Sequence, residues 1–307
     1  MIDAIARSVP LARYRPLRQA VLDLPRWHPV RIAATVVLRR AARAWRHRLA
    51  GQLDEIRPLD APTLSFEAVD SMVMDAVYWF GVRGYEGTVA RVWTALCRQS
   101  HSVLEVGGNV GLFTVIGAAA APGSYTVVEP VPMVAATLRA NLARNGLTKV
   151  EVLQAAAIPG AEGRDVALNV PAEDWGVPVG AHLLDGVEVA GRSSRAQVTA
   201  SGLPIHRLAE GRDLIKIDAE GIEAALLDDL RGLLLERRPT LVIEVLPEAE
   251  RLGALLGALA SDAGYQIHVL PEWGSDQVVT VPAAPFNAGV PGRYKSKDVV
   301  LSVDPLA

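Results

Sequence analysis

The sequence predicts a doubly wound α/β fold: a mostly parallel seven-stranded sheet between two layers of helices, with a basic helical arm before it. Two observations predict the sheet. Short apolar runs alternate with helix-like segments from residue 86 onward, and glycine-containing turns separate several of them. A third observation, an arginine-rich start interrupted by prolines, divides the chain into an extension at 1–60 and a domain at 61–307.

Composition is consistent with one large domain. Of the 307 residues, 50% are hydrophobic and 21% are charged, so a sizeable core is within reach. The single cysteine, Cys97, excludes an internal disulfide framework and a cysteine-rich zinc site, and we expect a buried thiol in a reducing, cytoplasmic compartment. The sequence contains no apolar run near the roughly 20 residues that a membrane-spanning helix needs.

The first 50 residues carry eleven arginines and two aspartates, a net charge of +9 against −12 for the rest. Prolines limit residues 1–30 to short helices. Apolar residues spaced three and four apart predict an amphipathic helix over 31–53, followed by a linker at Pro58 and Pro62. We expect this arm to pack on the domain or on a second subunit, or to contact an anionic membrane at its inner face. Nucleic acid is disfavoured because the remaining chain is acidic.

The domain then follows in order. Apolar, β-branched runs predict strands, and longer segments with helical spacing, ended by Pro122, Gly146 or a following strand, predict helices. The predicted strands are 102–106, 125–128, 150–153, 166–170, 214–217, 241–245, 265–270 and 298–303; the predicted helices are 86–99, 110–121, 131–145, 222–235 and 248–263.

The turn after the first of these strands carries the strongest signal. Glu105, Gly107, Gly108, Asn109 and Gly111 form an acidic-x-Gly-x-x-x-Gly pattern that leads into a helix. Glycines there let the backbone approach a ligand closely. The pattern differs from the Gly-x-Gly-x-x-Gly of dinucleotide-binding turns, and a carboxylate would repel a pyrophosphate but orient a cation. The turn therefore favours a positively charged sulfonium nucleoside.

Two further positions extend this predicted site. Glu129, at the tip of the next strand, can accept hydrogen bonds from both ribose hydroxyls, and Pro130 follows it. Gln154 and Ala156, after the third strand, lie where an adenine edge would fit. Close packing of strand against helix explains the small residues there equally well.

Charged residues at the fourth strand predict the reacting edge. Lys216 and Asp218 share one side of an apolar strand, so each needs a partner. A structural ion pair, including Glu244 of the next strand, is one interpretation; a base, a substrate clamp or a metal ligand at Asp218 is the other. Glu220 is either a helix cap or a site residue, and His206 is a second candidate base. A divalent metal is a further alternative, although no ligand spacing supports one.

With these residues assembled, the chain resembles the FkbM family of methyltransferases. The matching stretches are 85–86, 105–111, 129–130, 141–145, 216–223 and 239–244. Two departures are Glu105 and Gly108, where the family has Asp and Ala, and 203–206, where a Thr-Leu-Asp-like step is missing. The resemblance implies a Rossmann-like class I fold, S-adenosylmethionine as cofactor and O-methylation of a sugar, glycan or secondary metabolite, with Asp218 near the transferred methyl.

Three alternatives remain at this stage. A nicotinamide-dependent oxidoreductase would need the dinucleotide turn, and a nucleic-acid base methyltransferase would need an Asn/Asp-Pro-Pro-aromatic turn where Asp218-Ala-Glu-Gly stands. A non-catalytic or peripheral-membrane binding protein that retains the fold is the third. We also expect aromatic residues near the acceptor, drawn from Tyr78, Trp79, Tyr85, Trp175, Trp273 and Tyr294.

Overall fold

A computed structural model describes residues 6, 8–25, 27–171, 176–178, 182–183, 194–246, 248–271, 277–284, 286–294 and 296–306. In this part of the chain the strands are β1 (Glu55–Ile56), β2 (Phe66–Glu67), β3 (Ser102–Val106), β4 (Ser124–Val128), β5 (Glu151–Leu153), β6 (Ala156–Ile158), β7 (Arg164–Pro171), β8 (His182–Leu183), β9 (Ser194–Pro204), β10 (Leu214–Ile217), β11 (Thr240–Glu244), β12 (Gln266–Val269), β13 (Val279–Val281) and β14 (Asp298–Ser302). The α-helices are α1 (Arg15–Asp23), α2 (Pro29–Trp45), α3 (Met72–Phe80), α4 (Gly87–Gln99), α5 (Leu112–Ala118), α6 (Pro132–Arg144), α7 (Ile205–Ala209), α8 (Glu223–Arg237), α9 (Glu250–Ala263) and α10 (Gly289–Arg293).

The main sheet has the order β5-β4-β3-β10-β11-β14-β12-β13. Strands β5, β4, β3, β10 and β11 are parallel, whereas β14 runs antiparallel between β11 and β12, and β13 pairs antiparallel with β12. The predicted doubly wound, mostly parallel α/β sheet is confirmed. The described residues give it eight strands instead of seven, because the short edge strand β13 was not predicted.

Helices cover both faces of this sheet, which explains why its central strands are continuously apolar. Val103, Val127 and Leu214 belong to a core on the side of α4 and the N-terminal arm. Their strand neighbours Leu104 and Ile215 belong to a second core, formed with α8 and α9. Alternate residues of each strand therefore face opposite layers.

A second, four-stranded sheet has the order β6-β9-β7-β8. The predicted strand at 166–170 exists, but it lies in this sheet as part of β7, paired antiparallel with β9. Only the residues Gln154 and Ala155 separate β6 from β5 of the main sheet. This short connection places the second sheet beside the carboxyl end of the central strands.

The N-terminal arm packs on the domain through α1 and α2. The predicted helix over 31–53 is observed at Pro29–Trp45, where proline occupies the first helical turn and the His28 ring accepts a hydrogen bond from the Val30 N–H at 3.2 Å. It ends at Trp45, because Arg46 leaves the helical conformation with a ψ of 137°, and His47 then adopts a positive φ of 62°. No helix among the described residues has the length and hydropathy required to cross a bilayer.

Candidate functional site

The turn between β3 and α5 is pressed against the neighbouring strands. Gly107 has φ +88°, and a Cβ at that position would lie 1.9 Å from the Asp218 carbonyl oxygen. The Gly107 and Gly108 N–H groups both donate to the Val128 carbonyl, at 2.9 and 3.2 Å. Only glycine combines this backbone conformation with so close an approach, so the strand tips of β3, β4 and β10 meet at Gly107.

The other two glycines of the turn serve packing. A Cβ on Gly108 would meet the Val127 side chain at 2.4 Å, and a Cβ on Gly111 would meet Leu138 at 3.2 Å. Gly111 also has φ +88°, which delays the start of α5 to Leu112. Neither glycine lines the cleft described below.

Glu129 connects the turn to the end of β4. One carboxylate oxygen accepts a hydrogen bond from the Asn109 N–H and the other from the Val131 N–H, each at 2.9 Å. Burial raises the pKa of Glu129 to about 7, although both backbone donors favour its ionised form. The carboxylate is thus fixed in orientation while it lines the cleft.

Glu105 lies beneath the turn and not in the cleft lining. Its side chain is fully buried, and one oxygen accepts a hydrogen bond from the Tyr125 hydroxyl at 2.5 Å. The other oxygen has no hydrogen-bond partner among the described residues. Burial raises the pKa of Glu105 to about 7, opposed by Lys216, the residue paired with it on β10. Sequence reasoning had placed this carboxylate against the ligand.

Asp218 and Lys216 form an ion pair at the tip of β10, with Lys216 Nζ 2.8 Å from Asp218 Oδ2. The pair confirms that the two side chains share one side of the strand. Burial alone would raise the pKa of Asp218, but the Lys216 and Lys297 ammonium groups hold it below its ordinary value. Burial alone would lower the pKa of Lys216, and Asp218 and Glu105 raise it instead. Both members of the pair are therefore charged at neutral pH.

Lys297, immediately before β14, carries a second charged group to the same edge. Its Nζ lies 2.5 Å from Glu244 Oε1 and 2.9 Å from Glu86 Oε1. Glu244, which the sequence offered as a partner for the Lys216–Asp218 pair, is bound to Lys297 instead. Burial and the Asp218 charge raise the pKa of Glu244 to about 8. Among the described residues, no group of three histidine, cysteine or acidic side chains is placed to hold a metal ion.

Gly107, Asp218 and Lys297 border an open cleft at the carboxyl end of β3, β4 and β10, with about 800 Å³ of empty space that includes open solvent. Seven predicted site residues line it: Gly107, Asn109, Glu129, Pro130, Ala156, Asp218 and Glu220. Parallel sheets collect ligands at this edge.

Two other predicted residues lie outside the lining. Gln154 accepts a hydrogen bond from the Arg139 guanidinium at 3.3 Å. His206 lies on α7, with Nδ1 3.3 Å from Asp229 Oδ2. The structure therefore brings Asp218 and the glycine turn together and leaves His206 apart from them.

The two acids after Asp218 differ in role. Glu223 is buried, and its carboxylate accepts hydrogen bonds from the Ala219 and Gly221 N–H groups at 2.9 Å, so it closes the turn before α8. Glu220, held at φ +54°, lines the cleft. Of the two, Glu223 closes the turn before the helix and only Glu220 lines the cleft.

Several lining residues were not predicted as such. Lys297, Leu168, Pro178 and Ile222 had not been singled out, and of these only Lys297 carries a signal, a charge directly before an apolar strand. Among the aromatics, Tyr85 lines the cleft, whereas Tyr78 and Trp79 pack edge to face in the core. Tyr294 is part-exposed, outside the lining, and Trp175 and Trp273 fall outside the described residues.

Comparison with known proteins gives a family match. The profile described as "Methyltransferase FkbM domain" matches residues 105–267. No curated protein matches. Among solved structures, methyltransferase FkbM from Methylobacillus flagellatus KT aligns with TM-score 0.41 and 15% identity over 95% of this chain, which spans 59% of that protein's length. An O-methyltransferase from Bacillus cereus, in complex with SAH, aligns with TM-score 0.38 and 12% identity over 70% of this chain and 80% of its own.

Proposed function

Because the chain belongs to the FkbM methyltransferase family, we propose that it is an S-adenosylmethionine-dependent O-methyltransferase acting on a hydroxyl of a sugar, glycan or secondary metabolite. The single observation that carries this proposal is the cleft that places Gly107, Glu129 and Asp218 at one sheet edge.

The cleft fits the cofactor in shape and charge. A Cβ on residue 107 would collide with the Asp218 carbonyl, so this position must be glycine. The bare backbone of Gly107 therefore forms the floor of the cleft. Glu129 offers a fixed carboxylate to the ribose hydroxyls. Pro130 and Ala156 border the space for the adenine ring. Glu129 and Glu220 favour a cation over a pyrophosphate, whereas the charge of Asp218 is balanced by Lys216. S-adenosylmethionine supplies a methyl group on a positively charged sulfur.

Asp218 is suited to orient the acceptor. Its pKa is held below the ordinary value, which makes it a weak base but keeps it ionised at neutral pH. An ionised carboxylate accepts a hydrogen bond from a hydroxyl, and the 2.8 Å contact with Lys216 fixes its direction. We assign to Asp218 the positioning of the acceptor hydroxyl, since alignment of the reacting atoms accounts for much of the rate in such displacements.

The charges at this edge favour an uncharged acceptor. Lys216 is paired with Asp218, and Lys297 is paired with Glu86 and Glu244. Neither lysine offers an unpaired cation to a phosphate or carboxylate group. Hydroxyls of a glycan or polyol both donate and accept hydrogen bonds. They can therefore bind at the edge of the cleft, where the charged side chains are already paired and the Tyr85 ring lies beside them.

The test has two stages. Calorimetry of the full chain with S-adenosylmethionine and its demethylated product should show saturable binding, and transfer of labelled methyl groups should then be followed over a panel of glycans and hydroxylated metabolites. Asp218→Asn should bind the cofactor with unchanged affinity and lose on the order of 100-fold in turnover. His206→Gln is the matched control, because His206 lies outside the cleft, and should retain turnover.

Each outcome is decisive. No binding of either nucleoside would overturn the proposal. Binding without transfer to any acceptor would favour the non-catalytic binding protein instead. Turnover in Asp218→Asn equal to that of His206→Gln would remove Asp218 from the reaction.

A further inference from the structure

Helix α2 presents one face to the domain and the opposite face to solvent. Ala34, Leu38 and Ala41, spaced at four and three residues, are buried in the core shared with the N-terminal arm. A helix packed by one stripe normally shows polar residues on the other side. In α2 the outward face departs from this rule.

The outward face is apolar near the start of the helix. Ten large hydrophobic residues are exposed in the described part of the chain, and five of them lie within eleven residues: Trp27, Val30, Ile32, Val36 and Val37. Of these, Ile32 and Val36 lie on the face opposite the buried stripe, Val30 and Val37 lie beside that stripe, and Trp27 precedes the helix. Trp27 is 76% exposed and Ile32 54% exposed. Such a concentration marks an interaction surface, whereas scattered exposed apolar residues do not.

The same face becomes cationic towards the end of the helix. Ile32, Val36, Arg40 and Arg43 follow one another at steps of four, four and three residues, so they lie along one exposed stripe. Residues 24–53 contain seven arginines and no acidic residue. An apolar segment bordered by arginines therefore runs along the outside of α2.

We propose that this face of α2 docks on the surface of an anionic lipid bilayer. Apolar side chains and an indole ring insert at the boundary between headgroups and acyl chains, and arginines bind the lipid phosphates. Charge complementarity favours this occupant, because the arginine stripe lacks acidic neighbours along the helix. A nucleic acid would match the arginines but would leave Trp27, Ile32 and Val36 in water.

The inference does not depend on the proposed methyl transfer. It is tested by flotation of the full chain with vesicles of phosphatidylcholine alone or mixed with phosphatidylglycerol. The protein should float with the anionic vesicles only, and added salt should release it. Arg40→Gln with Arg43→Gln should weaken binding on the order of 25-fold, about fivefold for each arginine near the surface. Ile32→Ser with Val36→Ser should abolish flotation.

Matched controls separate the face from general surface effects. Arg98→Gln with Arg293→Gln removes two exposed arginines elsewhere, and Leu235→Ser with Val303→Ser removes two exposed apolar side chains elsewhere. Both control pairs should float like the unmodified chain, and thermal melting should verify that every variant is folded.

Three results would overturn the proposal. The first is absence of flotation with anionic vesicles at low salt. The second is equal loss of flotation in the control pairs. The third is a dimer in solution that dissociates on Ile32→Ser with Val36→Ser while flotation persists, which would make this face an interface between two copies.

Discussion

Replacing Gly107 by alanine should destabilise the fold in two ways, through the backbone conformation of the residue and through a steric contact of the new Cβ. The φ of +88° disfavours any L-side chain, which costs about 1–2 kcal/mol. In addition, the new Cβ would lie 1.9 Å from the Asp218 carbonyl oxygen, a backbone atom that cannot rotate away. Relief requires β3 and β10 to move apart at their tips, comparable to core overpacking at about 1–3 kcal/mol. We expect Gly107→Ala to lower the free energy of unfolding by about 2–5 kcal/mol.

Gly264→Ala is the control, because Gly264 has φ +73° and open space around its Cβ position. It should cost only the conformational part, about 1–2 kcal/mol. Urea unfolding gives both values, and calorimetry with the demethylated cofactor should show weaker binding for Gly107→Ala alone. If the two variants unfold with equal free energies and bind equally, the contact between the turn and β10 does not shape the cleft.

Three further changes test the cleft, a buried amide in the core and a buried carboxyl in α3. Glu129→Gln should weaken cofactor binding about tenfold, and it should remove the rise in affinity expected between roughly pH 6 and pH 8 as a carboxyl with a pKa of about 7 ionises; calorimetry across that range measures both. Asn141→Leu should lower the free energy of unfolding by about 2–4 kcal/mol in urea, because the buried amide binds the Glu67 N–H at 2.6 Å and the Val110 carbonyl at 2.7 Å. Burial raises the pKa of Asp75 to about 7, so the folded chain binds more protons than the unfolded chain between about pH 4 and pH 7, and the destabilisation grows over that range and levels off above it. In urea, the free energy of unfolding of Asp75→Asn should therefore exceed that of the unmodified chain by about 1 kcal/mol at pH 8 and equal it at pH 4.

The central strands and the glycine turn were predictable because they are locally specified. Strand β3, the turn at Gly107 and the acid at Glu129 follow one another along the chain, and each has a residue pattern that few other structures require. Parallel strands also place their carboxyl ends at one edge, so the position of Asp218 followed from the position of β10. The family resemblance rested on these same stretches.

Lys297 and the second sheet were not predictable by the same reasoning. Lys297 precedes an apolar strand, and in a parallel strand that position lies at the edge opposite the cleft. Because β14 runs antiparallel to β11, its beginning meets the end of β11, and Lys297 reaches Glu244. Strand direction depends on the connection through α9 and β12, and no local pattern encodes it. Leu168 entered the cleft for a related reason, since β7 pairs with β9, a distant segment.

Glu105 shows how one residue of strand register decides a role. Side chains alternate along β3, so Glu105 shares a face with Val103, which packs in the core on the α4 side. The cleft begins one residue later, at Val106 and Gly107. Glu105 instead faces Lys216, the residue opposite it on β10, whose charge also holds Asp218 ionised. The acid before the glycine turn thus shares the Lys216 charge with the acid that borders the cleft, and the pattern of the turn alone does not distinguish that role from direct contact with a ligand.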